Sequence, residues 1–482
     1  MKHLLLLSSL LLSAAPLLAD EYVTPGDGQA YSLDQLADLT NNLQKTDAGE
    51  YLLSGDITLS AGDELTITRG VVLMADGTTL TLNGKTTLLN QSGAILFTRA
   101  SDEAVPRGIR VADDNAEFSA CGVGFEFIAI QYMSTQPITL IDCTFRQAGT
   151  ALTSTAALTF SRSSADNYIY GCKFIQCESA AIGGALNYAN GMAILNCSFY
   201  DNNTQNTNKP QINLISGGDA PVYIQQCSII GTGRDMVGGI GFMNYMNPGD
   251  NNIYIEGNTI ANCRYGIAAY SYQPLNFQIN DNTIVNNCYE TNPNNGGSGI
   301  TLYDMSVGTL SCTARGNYLE GNLWGVTVLG SPASINFGYL GDDESLERFA
   351  GCNTFVGNGN TDVDYEFFNN TSSAMTIYAQ GNVWGSGSQD STLVASLVWD
   401  ANDAGGQGEV VFTTPAQADP VQLSSVSADR ASDGHLDVFS LSGTRALMEA
   451  AGGESAFSDL LQQRGLFVVR DSQGQGRIVS IK

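Results

Sequence analysis

Histidine is almost missing from this 482-residue chain; there are two, His3 and His435. One histidine near the C-terminus leaves little room for imidazole catalysis or a histidine-held metal. Lysine is scarce too. The chain has 21 Lys+Arg against 48 Asp+Glu, a formal net charge of −27. No basic stripe exists, which excludes a nucleic-acid backbone as partner. No apolar run reaches the length of a membrane span, so no transmembrane span is expected. The first run, Leu4 to Leu12, is short. It follows Lys2 and leads into the small residues Ser13 to Ala19, then Asp20-Glu21. That order reads as a signal peptide over residues 1–19, and the chain is expected to be exported, secreted or attached to the outer cell surface.

Glycine and asparagine are abundant. There are 53 Gly, and 33 of 38 Asn fall between Asn167 and Asn402. One short phrase recurs there: Cys143-Thr-Phe, Cys172-Lys-Phe, Cys197-Ser-Phe, Cys227-Ser-Ile, Asn258-Thr-Ile, Asn282-Thr-Ile, Asn317-Tyr-Leu, Asn353-Thr-Phe and Asn382-Val-Trp. A second column follows five residues later, at Cys177, Asn202, Cys263, Asn287, Asn322 and Asn358. The phrases are short, alternating and β-branched or aromatic, hence strands. Gly, Asn and Asp between them are turn residues. Irregular spacing suits a coil of three short strands per turn, with length absorbed in loops on one side. A stacked Asn can donate and accept along such a coil. Cys in the same columns suggests a small buried position. In-register strands point their Cβ atoms the same way, so mostly free, buried thiols are expected rather than disulfides.

These residues resemble the right-handed parallel β-helix proteins of the pectate-lyase-like superfold, from about Tyr51 to Leu397. The entry Gly49–Gly84 is typical of first coils. Phe174–Asn203 also resembles the repeat of chlamydial polymorphic surface proteins. The expected fold is all-β: a right-handed parallel β-helix (solenoid) over 51–400 behind an N-terminal cap over 20–50. Leu33, Leu36, Leu39 and Leu43 predict a capping helix over Ser32–Gln44. A Gly- and Asp-rich linker is expected over 401–435, then a small β-sandwich-like domain over 436–482. Within it, Val438–Gly443, Gly465–Arg470 and Arg477–Lys482 resemble the C-terminal sorting domain of type IX secretion cargo of Bacteroidetes type. That resemblance implies the type IX secretion machinery as a partner and removal of the domain on export.

Lyases of the superfold use a Lys or Arg base, which makes Lys173, Arg146, Arg264 and Arg315 the candidates; outward solvated charges are the default for all four. Asp113-Asp114, Asp342-Asp343-Glu344 and Asp362-x-Asp364-x-Glu366 are acidic clusters. No cofactor is expected, with Ca²⁺ left open at the last cluster, whose alternation would place three carboxylates on one strand face. A more specific pattern is Gly-x-x-x-Tyr at Gly184–Tyr188, Gly241–Tyr245, Gly266–Tyr270 and Gly299–Tyr303. Tyr188, Tyr245, Tyr270 and Tyr303 would stack at one sheet edge, either as a ligand-binding stripe or as a ladder stabilising a coil corner. The favoured function is binding of a polysaccharide, another glycan or a surface protein, adhesin-like. A carbohydrate-active enzyme and a purely structural surface protein are the alternatives.

Overall fold

A two-residue corner recurs on coil after coil, ending at Cys352-Asn353 and Gly381-Asn382. Before these it reads Asp142-Cys143, Gly171-Cys172, Asn196-Cys197, Gln226-Cys227, Gly257-Asn258, Asp281-Asn282 and Gly316-Asn317. The first residue of each has a left-handed φ of 52–70°. Gly, Asn and Asp reach that region at least cost. The turn bends the chain sharply and sets the second residue inward, over the coil interior.

The structure is a computed structural model. It describes residues 21–413 apart from 92, 150–155, 163–165, 185–187, 293–295, 360–362, 373–374, 386–389 and 405–407, and the backbone of four strands in the tail. The chain divides into two compact units between 418 and 419.

The first unit is a solenoid of three 14-stranded sheets. Sheet A runs from Tyr22–Val23 to Val398–Trp399, sheet B from Ala30–Tyr31 to Val410–Val411, and sheet C from Leu43–Lys45 to Val383–Trp384. Among the described residues of this unit pairing is parallel except for Leu43–Lys45 against Tyr51–Leu53 and an isolated bridge between Tyr339 and Phe349. This is the parallel β-helix that the repeat spacing implies, right-handed as the resemblance implies. The predicted cap helix is shorter than its leucine spacing suggests. It spans Leu33–Leu39, opened by a capping box between Ser32 and Gln35. Thr40 is extended and ends it, and Leu43 is buried in a strand instead. Leu33 lies over Gly70, on the first coil. The second unit shows a four-stranded antiparallel sheet, Asp437–Ser440, Arg445–Ala446, Gly465–Arg470 and Gly476–Ile481. Residues 1–19, expected as a signal peptide, and residues 414–435 of the linker expected over 401–435 lie outside the described residues.

Inside the coil, like stacks on like. Phe97, Phe125, Phe145, Phe174 and Phe199 form one column of sheet C, with successive ring centroids 5.7, 4.8, 4.7 and 5.1 Å apart. At the B–C corner the asparagines form a continuous ladder. The backbone N–H of Asn258 donates to Asn282 Oδ1 at 3.0 Å, and its Nδ2 donates to the same oxygen at 2.9 Å. Asn282, Asn317 and Asn353 repeat both bonds onto the next asparagine, ending at Asn382. Each Nδ2 also donates to a carbonyl of the preceding coil: Ile224, Ile255, Ile279 and Ala314 in turn. The polar groups that the corner would orphan are thereby satisfied.

The cysteines continue this column with weaker chemistry. The thiols of Cys143, Cys197 and Cys227 lie 3.5 Å from the carbonyls of Ala120, Ile169 and Ile194. Those carbonyls share the sheet B register with Ile224, Ile255 and Ile279. A thiol therefore points where an amide points further along. All ten cysteines are free. Burial pushes the Cys177 and Cys263 thiols up to about 12, which keeps them protonated and unreactive.

The second column needs end-stops, because two coils lack its asparagine. Asn202 donates through N and Nδ2 to Gln211 Oε1. Asn358 donates the same way to Glu366 Oε2. Gln211 and Glu366 each precede the first inward residue of a sheet A strand. Between them that position is Gly239, Gly266, Gly299 and Gly325. A Cβ on Gly325 would lie 2.3 Å from the Glu366 carbonyl oxygen. At Gly266, Gly299 and Gly325 the next coil supplies the ladder asparagine, Asn287, Asn322 and Asn358 in turn; at Asn202 and Asn358 it does not, and a long acceptor folds in instead.

Glu366 is 2% exposed. Burial raises its carboxyl pKa, opposed by the hydrogen bonds from Asn358. A folded pKa above the unfolded value means that folding holds the proton. The contribution is full below the ordinary glutamate range and is lost as pH rises through the folded value. Glu366→Gln keeps the acceptor and removes the charge. It should raise the melting temperature at neutral pH, with the gap closing as pH falls. Glu366→Ala should lower it, because the Asn358 donors are orphaned. Thermal denaturation across pH checks both.

Candidate functional site

The B–C corner is short and uniform from Ile141–Thr144 to Arg315–Tyr318, and a long insertion enters it only between Asn336 and Thr354; in the other coils length variation falls on the two connections that flank sheet A. From Arg146 to Ala156, Tyr200 to Ile212 and Val285 to Ser298 the chain enters sheet A by long connections. From Tyr170 to Lys173 or Leu195 to Ser198 it crosses the constant corner. Sheet A therefore lies between two rows of variable loops, and its outer face is where a ligand could be enclosed and specified.

The four predicted tyrosines do not form one stripe. Tyr270 pairs in register with Tyr303, and that column continues from Met243 to Leu329. The two rings meet edge to face, with centroids 6.2 Å apart. Tyr245 lies beyond the strand Ile240–Asn244 and stacks on Tyr272 at 5.4 Å. The Gly-x-x-x-Tyr phrase at 241–245 is two residues out of register, since Gly241 pairs with Ala268 and Gly239 occupies the place of Gly266. Tyr188 leaves the set altogether. It is fully buried, its ring is stacked on Phe160, and its hydroxyl donates to the Asn213 carbonyl. It has no surface to offer a ligand.

The remaining tyrosines belong to a larger patch. Tyr245, Met246, Tyr272, Met305 and Val307 are exposed by 40, 63, 38, 37 and 78%. They occupy three consecutive turns from sheet A to sheet B, beside half-buried Tyr270 and Tyr303. Single exposed apolar side chains need no explanation; five on three adjacent turns form a patch that does.

The cations separate likewise. Lys173 and Arg146 are exposed on sheet C, and Arg146 pairs with Glu126 at 3.7 Å. Arg315 is exposed at the end of a sheet B strand. Arg264 alone of the four borders sheet A. It is 7% exposed, and its Nη1 donates to Asn208 Oδ1 at 2.7 Å. Burial raises the Tyr270 phenol pKa, and Arg264 opposes that rise, so the two groups are neighbours. Lys209, which sequence reasoning passed over, follows Asn208; it donates to Ser179 Oγ, and burial lowers its pKa.

The carboxylates do not converge. Asp113 caps a turn through Asn115 N, and Asp114 pairs with Arg162. Asp343 accepts from Ser345. Glu366 points into the coil whereas Asp364 is exposed, which breaks the expected one-faced row; Asp362 lies outside the described residues. Among the described residues no group of three or more His, Cys, Asp or Glu is placed to hold a metal ion.

Sheet A carries a second aromatic group, spread over three coils and invisible as a phrase. Trp324 stacks on Phe368 at 4.4 Å, Phe368 on Trp399 at 5.9 Å, and Tyr365 meets all three rings at 5.5–5.7 Å.

The family model described as "Right handed beta helix region" matches residues 88–319. Among solved structures, the chain is similar to the crystal structure of the periplasmic alginate epimerase AlgG. Identity is 13%, coverage 80% of this chain and 83% of that one, and the TM-score 0.47. A point mutant of the same protein gives a TM-score of 0.39 at 13% identity and the same coverage. No curated protein matches the sequence. Among the described residues no helix is long and apolar enough to cross a membrane.

Proposed function

We propose that this β-helix is an exported, adhesin-like binding protein that holds a glycan along the outer face of sheet A. The observation that carries the reading is the exposed Tyr245–Tyr272 pair beside Tyr270 and Tyr303, bordered by loops that change length from coil to coil. Tyrosine combines an apolar ring with a hydroxyl, so it can pack on a sugar's C–H face and bond its hydroxyls at little entropic cost. Residues 1–19 as signal peptide and 436–482 as a type IX sorting domain supply the export route in this reading.

The test is a glycan array with the exported chain, in Ca²⁺ and in EDTA, with absorbance of unsaturated product read on each hit. Binding without product, lost by about tenfold or more in Tyr245→Ala/Tyr270→Ala, is expected from removal of one ring of each pair. Product formation would turn the reading to a lyase, with Arg264 the first base to replace. A double variant that binds like the parent would remove the tyrosines from the site.

A further inference from the structure

We infer that the C-terminal end of the sheet A face carries a separate subsite for one neutral sugar ring, built from Trp399, Tyr365 and the edge of Trp324. The inference rests on the glycan reading above and names a second place and a substrate class for it. Trp399 lies in the last strand of sheet A, paired in register with Phe368. One of its faces lies towards Phe368, and among the described residues no ring stacks on the other. Trp399, Tyr365, Phe368 and Trp324 are all half-buried, so the group is neither core nor fully solvated.

Packing alone explains this group poorly. Among the described residues the indole Nε1 of Trp324 is buried without a hydrogen-bond partner. A lone buried donor is unfavourable, and its retention needs a reason. Asp403 is exposed and lies close enough to Tyr365 to raise its phenol pKa, after the larger effect of burial. An aromatic face flanked by a hydroxyl and a carboxylate matches a pyranose: its C–H face covers the ring, and its hydroxyls donate to the carboxylate. The charge selects the class. Residues 349–418 contain no Lys or Arg, while exposed Asp364 precedes Tyr365 and Asp403 lies near it. A uronate or sulfated sugar would be repelled.

Trp324, Trp384 and Trp399 are the only tryptophans of the chain, and Trp384 is 2% exposed in the core. Intrinsic emission therefore reports on this subsite. The full chain would be titrated with cellohexaose, xylohexaose and chitohexaose, and with hexagalacturonate as anionic control, by emission and by calorimetry. At least one neutral oligosaccharide is expected to give a saturable emission change. Its affinity should fall about tenfold in Trp399→Ala, and less in Trp399→Phe and Tyr365→Phe, which keep a ring and so control for misfolding. Calorimetric binding that needs Tyr245 and Tyr270 but leaves emission and Trp399→Ala unchanged would overturn the subsite while the glycan reading stands. Tightest binding of hexagalacturonate would overturn the neutral class. Binding of no glycan, here or on the array, would remove both.

Discussion

Asn317→Ala should destabilise the solenoid by about 3 kcal/mol or more, and do so locally. Asn317 occupies the middle of the ladder, and its side chain bonds four polar groups on three neighbours. Its Oδ1 accepts from Asn282 N and Nδ2 at 3.1 and 2.9 Å. Its Nδ2 donates to Ile279 O at 2.7 Å and Asn353 Oδ1 at 2.8 Å. Alanine removes all four bonds. The Asn282 backbone N–H loses its acceptor and the Ile279 carbonyl a donor, at about 1–3 kcal/mol each before relaxation or water entry. Asn282 Nδ2 keeps Ile255 O, and Asn353 Oδ1 keeps the backbone N–H of residue 317. The side chain is 1% exposed, so water does not reach the site without opening the coil. Hydrogen exchange should show the loss concentrated in the strands beside 279–285 and 353–356, because each coil touches only its neighbours. Protection unchanged at those strands would mean that the ladder contributes little. Replacing a thiol rung, as in Cys197→Ala, should cost much less, since a thiol is a weak donor.

Phe174→Ala should cost about 3–5 kcal/mol, the usual range for emptying a buried phenylalanine site. The Phe174 ring is sandwiched between Phe145, 4.7 Å away and 5° from parallel, and Phe199, 5.1 Å away and 3° from parallel. The side chain is fully buried. Collapse into the void is opposed from both sides, because the neighbouring rings are fixed by their own coils. Phe174→Leu should recover most of the loss, since Ile229, Ile260 and Ile284 fill the same column downstream. Chemical denaturation of the two variants separates volume from aromaticity. Equal losses would show that ring stacking, rather than filling, holds this part of the core.

The columns were legible in the sequence because each rests on one chemical demand repeated in every coil. A left-handed corner residue followed by a small hydrogen-bonding side chain leaves a local spelling, Gly-Asn, Asp-Asn, Asn-Cys or Gly-Cys. The cap helix was overextended because Leu43 keeps the spacing of Leu36 and Leu39, and only the extended Thr40 separates helix from strand. The tyrosine phrase failed at Gly241–Tyr245 because Gly238, Gly239 and Gly241 offer several registers, and the glycine that meets the next coil is Gly239. Tyr188 shares the spelling with no shared register. Glu366 was read as one of three outward carboxylates, but the missing asparagine of the next coil draws it inward. The cluster of Trp324, Tyr365, Phe368 and Trp399 leaves no phrase at all; coil stacking alone brings residues 75 apart in sequence together.

The central claim is that ligand contacts fall on the outer face of sheet A. Oxidative footprinting of tyrosines in the full chain, with and without the best glycan from the array, tests it most directly. Tyr200 and Tyr318 on sheet C, exposed by 47 and 37%, are internal controls matched to Tyr245 and Tyr272 at 40 and 38%. Protection of Tyr245, Tyr270, Tyr272 and Tyr303, with Tyr200 and Tyr318 unchanged, is the expected result. Protection of the sheet C tyrosines instead, or equal protection of all six, would contradict the assignment.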